Sequence, residues 1–322
     1  MPSSSSRTCS GPTTTPDPWP RPFVNLAGGS GVTVPVQAET PGAPAPLPSR
    51  WPDLRKRVLS AALLIPAAVL CIWLGAEAWA ALMAAAVALL AWEWVRLCGF
   101  STRHWPGLAV PVLVLAAGTL AVEAIWGAAL AVLLLGFAGL WAAGRPAGQP
   151  RARPSFWLAF GVLYIGLAGV ALIHLRGDAA AGRGNVFFLF LVVWASDIGA
   201  YLAGRRFGGP KLAPAISPNK TWSGAAGGLV SAMLVGLAAA ALADPAGLPL
   251  ARVLLVAGLI GVVAQCGDLF ESWLKRHYHV KDSSALIPGH GGLLDRLDAV
   301  LAAAPVAAVL AALAGPGAAL WR

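Results

Sequence analysis

Residues 248–267, LPLARVLLVAGLIGVVAQCG, hold one charged side chain in 20 positions and run straight into the polar segment DLFESWLKRHYHV (268–280). As a helix, such a run is about as long as the roughly 30 Å hydrocarbon core of a bilayer is thick. It reads as a membrane span that ends in ionisable groups, and Asp268 is the first of them.

The same kind of run recurs along the chain. Candidate spans lie near 58–75, 78–97, 107–122, 124–143, 156–175, 186–204, 224–243, 248–267 and 297–319. The sequence therefore predicts an all-α, polytopic integral membrane protein with about nine transmembrane helices. Composition agrees. Of 322 residues, 57% are hydrophobic and 11% charged, and the mean hydropathy is +0.70. A soluble domain is about 25% charged, so an ordinary soluble enzyme is excluded. The 4 cysteines show no pairing pattern, no CxxC and no Cys/His cluster, which excludes a disulfide scaffold and a zinc site. Several spans are rich in Ala and Gly, small residues that let transmembrane helices approach closely.

Residues 1–50 are a different material. SSSS, TTT, PDPWPRP and APAPLP make them rich in Ser, Thr and Pro. This composition predicts a disordered tail, and no basic region followed by a continuous apolar stretch marks a signal peptide. The expected organisation is a tail over 1–50, N-terminal helices over 51–180 and a C-terminal catalytic region over 181–322.

The formal charge is +9, from 23 Lys and Arg against 14 Asp and Glu. The cations lie in short gaps between spans, which suits membrane topology and not a nucleic-acid partner. Arg50, Arg55, Lys56 and Arg57 precede the first span; Arg96 and Arg103 follow the second; Arg145, Arg151 and Arg153 follow the fourth. Arg205, Arg206, Lys211 and Lys220 follow the sixth, and Lys275, Arg276 and Lys281 the eighth. The intervening gaps hold few charges of mixed sign: Glu77, Glu123, Arg176, Asp178, Arg183, Asp244 and Arg252. Because Lys and Arg collect on the cytoplasmic side, nine spans with a cytoplasmic N-terminus satisfy the pattern.

Chemistry is unevenly distributed. In the first half, Glu77 and Glu93 sit near span ends and read as interfacial. Cys71, Cys98 and Cys266 read as small core residues, and His104 and His174 as loop-edge groups. Trp73, Trp79, Trp92, Trp94, Trp105 and Trp126 fit interfacial belts or helix packing. The second half has two polar segments, 196–224 and 265–298, at cytoplasmic span ends. In the later one, Asp268, Glu271 or Ser272, and Lys275 share a face if the helix continues, and Asp268 is a functional candidate because it ends an apolar run. Lys275, Arg276 and Lys281 can hold phosphate oxygens. Pro288-Gly289-His290-Gly291-Gly292 permits close backbone approach, and Asp295 and Asp298 follow at i, i+3. Hard carboxylate oxygens beside a basic loop suit Mg²⁺ and phosphate chemistry. Position and charge alone leave open an ion-pair lattice in which Arg276 and Arg296 balance Asp295 and Asp298. In the earlier segment, Asp197 lies near the end of span six, Arg205, Arg206 and Lys211 follow, and Ser217-Pro218-Asn219-Lys220-Thr221 precedes a Gly-rich helix start. Lys220 and Thr221 there form a phosphate site in prospect, although no Walker A pattern is present.

Residues 272–298 resemble the signature of the phosphatidate cytidylyltransferase (CDP-diacylglycerol synthase) family, with Ser272, Lys275, Arg276, Lys281, Asp282, Pro288, His290, Gly291, Gly292, Asp295, Arg296 and Asp298 in its positions. SDIGAYLAGRRFG, SPNKTWSG and GDLFES also look like that family, and the likeness covers roughly 55–320. The resemblance implies that CTP and phosphatidate give CDP-diacylglycerol and pyrophosphate with Mg²⁺, in the bacterial inner membrane, with the site cytoplasmic. It implies a catalytic set of Asp268, Lys275, Arg276, Lys281, Asp282, His290, Asp295, Arg296 and Asp298. Of these, Asp268, Asp295 and Asp298 would be the metal ligands. It places Asp197, Arg205, Ser217, Lys220, Thr221 and Ser272 around the substrates, and it implies a homodimer. A related CTP-using polyprenol kinase would lack the full signature. A transporter would show paired broken helices at the bilayer midplane, whereas these carboxylates sit at span ends. An inactive homologue is disfavoured by the intact charged positions.

Overall fold

The structure, a computed structural model, describes residues 62, 65–143, 153–243, 249–284, 286 and 291–322. The expected tail over 1–50, the cations Arg50, Arg55, Lys56, Arg57, Arg145 and Arg151, and Pro288, Gly289 and His290 lie outside the described residues.

Among the described residues, nine helices follow one another at the expected places. They are α1 (Ile65–Leu74), α2 (Ala76–Leu97), α3 (Ala109–Val122), α4 (Trp126–Ala143), α5 (Arg153–Gly177), α6 (Gly182–Phe207), α7 (Trp222–Ala243), α8 (Leu250–His277) and α9 (Leu294–Ala314). Among the described residues, 7 are long and apolar enough to cross a membrane, which makes this a multi-pass membrane protein; α1 and α3 are the shorter ones. At 14 residues, α3 rises about 21 Å, short of a full crossing.

The sequence did not predict the hairpin between α6 and α7. Strands β1 (Lys211–Ala213) and β2 (Ser217–Thr221) pair antiparallel, with Lys211 opposite Thr221 and Ala213 opposite Ser217. Thr221 then caps α7, its Oγ1 accepting the Gly224 N–H at 3.1 Å, the usual service of a threonine before a helix.

Lipid tails are as apolar as leucine, so close packing and hydrogen bonds hold such helices together. α5 sits centrally, packed on α2, α3, α4 and α9. Two indoles tie α2 to it: Trp79 Nε1 donates to Leu172 O at 3.0 Å and Trp94 Nε1 to Trp157 O at 2.8 Å. α6 packs most extensively on α7. There the backbones come so close that a Cβ at Gly228 would stand 2.7 Å from Ser196 O. Cys98 is buried, as expected, whereas Cys266 is exposed on α8. Burial pushes the Cys98 thiol up to about 12, so it stays protonated and unreactive.

Candidate active site

The decisive helix is α8. Its apolar run ends at Gly267, but the helix continues through Asp268, Glu271 and Lys275 to His277. An aromatic cluster supports this extension. Trp157 of α5 meets Trp273 at 5.2 Å, Trp273 stacks on His277 at 5.4 Å, and Phe270 meets Tyr164 at 5.3 Å. The predicted shared face is therefore real, and it divides in two. Ser272 Oγ donates to Asp268 Oδ1 at 3.4 Å, while Lys275 Nζ lies 2.9 Å from Glu271 Oε2.

The first half of the site is a cavity of about 460 Å³ walled by α6, the hairpin, α7 and α8. Asp197, Arg205, Lys220, Thr221 and Asp268 line it, as do Tyr201, Asn219 and Gln265, which were not among the expected site residues. Lys220 Nζ and Asp268 Oδ2 pair across it at 2.6 Å, with side chains 27% and 33% exposed. Arg205 Nη1 donates to the Tyr201 hydroxyl at 2.8 Å. Gln265 Nε2 reaches Ser196 Oγ at 3.1 Å and Ala225 O at 3.2 Å, which fixes the cavity floor.

The second half is closed. Lys275 Nζ bridges Glu271 and Asp295 Oδ1, the latter at 2.7 Å. Asp295 Oδ2 accepts the Ser283 and Gly292 N–H groups, each at 2.9 Å, and the Ser283 hydroxyl at 3.0 Å. Gly291 has φ +88°, and a Cβ there would stand 3.2 Å from Asp295 Oδ2; this turn against a carboxylate needs glycine. Asp298, one turn along α9, lies within electrostatic reach of Asp268, Glu271 and Asp197. Its carbonyl accepts the Tyr164 hydroxyl at 3.3 Å. Buried Glu271 Oε1 accepts no hydrogen bond among the described residues.

Other expected residues fall at the periphery. Lys281, Asp282 and Arg296 are exposed, and none lines the cavity. Arg276 Nε reaches Ile216 O at 3.5 Å and so touches the hairpin turn. Ser217 pairs within the hairpin. Among the described residues, no group of three His, Cys, Asp or Glu side chains is gathered as a ready-made metal site; Lys220 and Lys275 take up Asp268 and Asp295 instead.

Glu93 corrects the sequence reading most clearly. It is not interfacial but fully buried, at 0% exposure. Its carboxylate meets the start of α9, accepting the Leu293 N–H at 2.9 Å and the Leu294 N–H at 2.7 Å. A sequence signal existed, since a lone carboxylate between Trp92 and Trp94 in an otherwise apolar run is a candidate by default.

Comparison with known proteins shows the family. A Cytidylyltransferase family profile matches residues 55–314. The chain is 40% identical over 263 residues to the phosphatidate cytidylyltransferase of Brucella suis biovar 1 (strain 1330), covering 78% of this chain and 91% of that protein. It is 37% identical over 287 residues to the enzyme of that name from Pseudomonas aeruginosa, covering 82% and 99%. For the Haemophilus influenzae protein of the same name the figures are 34% over 280 residues, 78% and 96%. The matched span contains every helix from α2 to α9, the hairpin and both halves of the site, and the chain belongs to the cytidylyltransferase family.

Proposed function

We propose that the protein transfers the cytidylyl group of CTP to phosphatidate, forming CDP-diacylglycerol and pyrophosphate. One observation carries the reading. The Lys220–Asp268 and Lys275–Asp295 pairs are both anchored on α8, seven residues or about 10 Å apart along the helix. A cavity open to a nucleotide and a row of cations for a lipid phosphate thus meet at one end of a membrane bundle. That end carries Arg96, Arg205, Arg206, Lys211, Lys275, Arg276 and Lys281, and the opposite end has Arg176, Arg183, Arg252 and Arg322. The positive-inside rule supports a cytoplasmic site and, for a bacterial chain, the inner membrane.

In the reaction a phosphate oxygen of phosphatidate attacks the α-phosphorus of CTP. A new P–O bond forms as the bond to the α–β bridging oxygen breaks, and pyrophosphate leaves with that electron pair. The attacking oxygen is already anionic, so no general base is needed. Arg205, Lys220 and Lys275 would bind phosphate oxygens by charge-assisted hydrogen bonds. Lys220, in the open half, would exchange its carboxylate for substrate.

The donors also suit Mg²⁺ in kind: all are carboxylate oxygens, and Glu271 keeps an oxygen without a donor beside them. Asp268, Asp295 and Asp298 would hold the ion. Bound there, the metal would neutralise charge on the phosphates.

The test is CDP-diacylglycerol formation by purified protein in detergent, from CTP and phosphatidate, with Mg²⁺ and with a chelator. Metal-dependent product is expected. Folded protein that yields no product from several phosphatidates contradicts the reaction, and undiminished product with the chelator contradicts the metal.

A further inference from the structure

The start of α9 is held by α8, through Lys275 on Asp295, and by a second helix: α2, from the half of the chain that otherwise lacks chemistry. Glu93 makes this connection through four donors. Its Oε1 accepts the Ser284 hydroxyl at 2.5 Å and the Leu293 N–H at 2.9 Å; its Oε2 accepts the Leu294 N–H at 2.7 Å and the Ser283 hydroxyl at 3.4 Å. Among the described residues no cation pairs with it by a salt bridge. Its charge is met instead by the positive end of α9 and by hydroxyls.

Two further observations tie Glu93 to the reacting end. The Ser283 hydroxyl lies between the two carboxylates, 3.0 Å from Asp295 Oδ2 and 3.4 Å from Glu93 Oε2. Its single proton serves one carboxylate at a time, Asp295 being the nearer, and a line of polar contacts runs Glu93–Ser283–Asp295–Lys275–Glu271, from α2 through Ser283 and α9 to α8. At Gly292 a Cβ would collide first with the Ser283 hydroxyl and would stand 2.9 Å from both Glu93 oxygens, so the backbone here lies flush on the Ser283–Glu93 contact. α2 itself is fixed next door, by Trp94 Nε1 on Trp157 O.

We infer that Glu93 is a positioning residue for cytidylyl transfer, setting Ser283, Ser284 and the start of α9 in place so that Asp295 and Lys275 stay aligned on α8. The inference rests on the reaction proposed above. Glu93 touches no reacting atom; it acts through Ser283, Gly292 and the α9 start. Glutamine in its place has one acceptor oxygen and turns an NH₂ toward donors, so it cannot serve all four.

The test measures kcat, KM and backbone hydrogen exchange on purified Glu93→Gln and Ser284→Ala in lipid nanodiscs. Outer-sphere partners of this kind are worth about 10–100-fold. Glu93→Gln should lower kcat within that range and leave the KM for CTP within about threefold. Exchange of the Ser283, Gly292, Leu293 and Leu294 amides should accelerate, with α4 and α7 unchanged. Ser284→Ala removes one of four donors and should give the same pattern, with kcat lowered about threefold to tenfold. Wild-type kcat per folded molecule in Glu93→Gln, or unaltered exchange of those amides, overturns the inference. If Glu93→Gln does not fold, Ser284→Ala decides by the same two readings. A wild-type protein that makes no CDP-diacylglycerol would sink the reaction, and with it any role in transfer. The exchange data would then still decide whether Glu93 holds the loop.

Discussion

The two halves of the site use the same residue types and hold them differently. On the hairpin side, Lys220 and Asp268 meet across an open cavity with about a third of each side chain exposed. On the α9 side, the Lys275 side chain is 15% exposed, and its partners Glu271 and Asp295 are 1% and 8% exposed. Exposed pairs are worth about 0–1 kcal/mol and exchange readily. A buried pair that loses one partner leaves an uncompensated charge, at a cost of about 3–5 kcal/mol. One half can thus exchange its partner for a ligand, while the other holds its geometry. A nucleotidyltransferase needs both properties, capture on one side and a fixed frame on the other.

The largest effect should come from Asp295→Asn. Oδ1 loses its charge and the loop loses an acceptor for three donors, so turnover should fall by more than the roughly 100-fold seen when outer metal partners are removed. Turnover near wild type, measured on folded protein, would place Asp295 outside the reaction.

Next, the contrast between the lysines can be measured directly. Lys275→Met should destabilise the protein by about 3–5 kcal/mol, and Lys220→Met by no more than about 1 kcal/mol. Lys220→Met should instead raise the KM for CTP. Equal losses of melting temperature in the two variants would remove the distinction between frame and capture.

A smaller effect is expected at the opposite end of the bundle. Asp178 accepts the Ala180 and Ala181 N–H groups at 2.9 and 2.8 Å and the Gly317 N–H at 2.6 Å. The Ala181 and Gly317 bonds chiefly hold its carboxyl below the usual 3.8. A lowered value means that its contribution is complete above the unfolded value and is lost as pH falls below 3.8 toward the folded one. Asp178→Asn should melt lower than wild type at pH 7, and the gap should close below pH 3.8. A gap constant down to pH 3 would contradict the assignment. The smallest effect should come from deleting residues 2–48, which precede the family match at 55; kcat should not change, and a large loss would give the tail a function.

The 7 long spans were legible because each carries an apolar run of about 20 residues, and bilayer thickness sets that length. The end of α8 was less so. Hydropathy falls at Asp268, yet the helix runs to His277 because Phe270, Trp273 and His277 pack on protein and not on lipid. Asp268, Lys220, Lys275 and Asp295 were legible as charges at span ends, but their pairing was not. Sequence spacing relates residues within one helix, and Lys220 and Asp268 lie on different elements. Glu93 was misread for the same reason. Its partners are about 200 positions away, and its place four residues before the end of α2 looks interfacial until α9 is set against it. The hairpin carries Pro214 and Pro218 within eleven residues, too short and too broken for any period to show.

The central claim is transfer of the nucleotidyl group, and its most direct test follows two labels. Purified protein in nanodiscs containing phosphatidate is given CTP labelled at the α-phosphate or at the γ-phosphate, and the lipid product is counted. The account predicts α-label in the lipid and γ-label in released pyrophosphate. Label from the γ-phosphate in the lipid would mean phosphoryl transfer by a kinase and would contradict it.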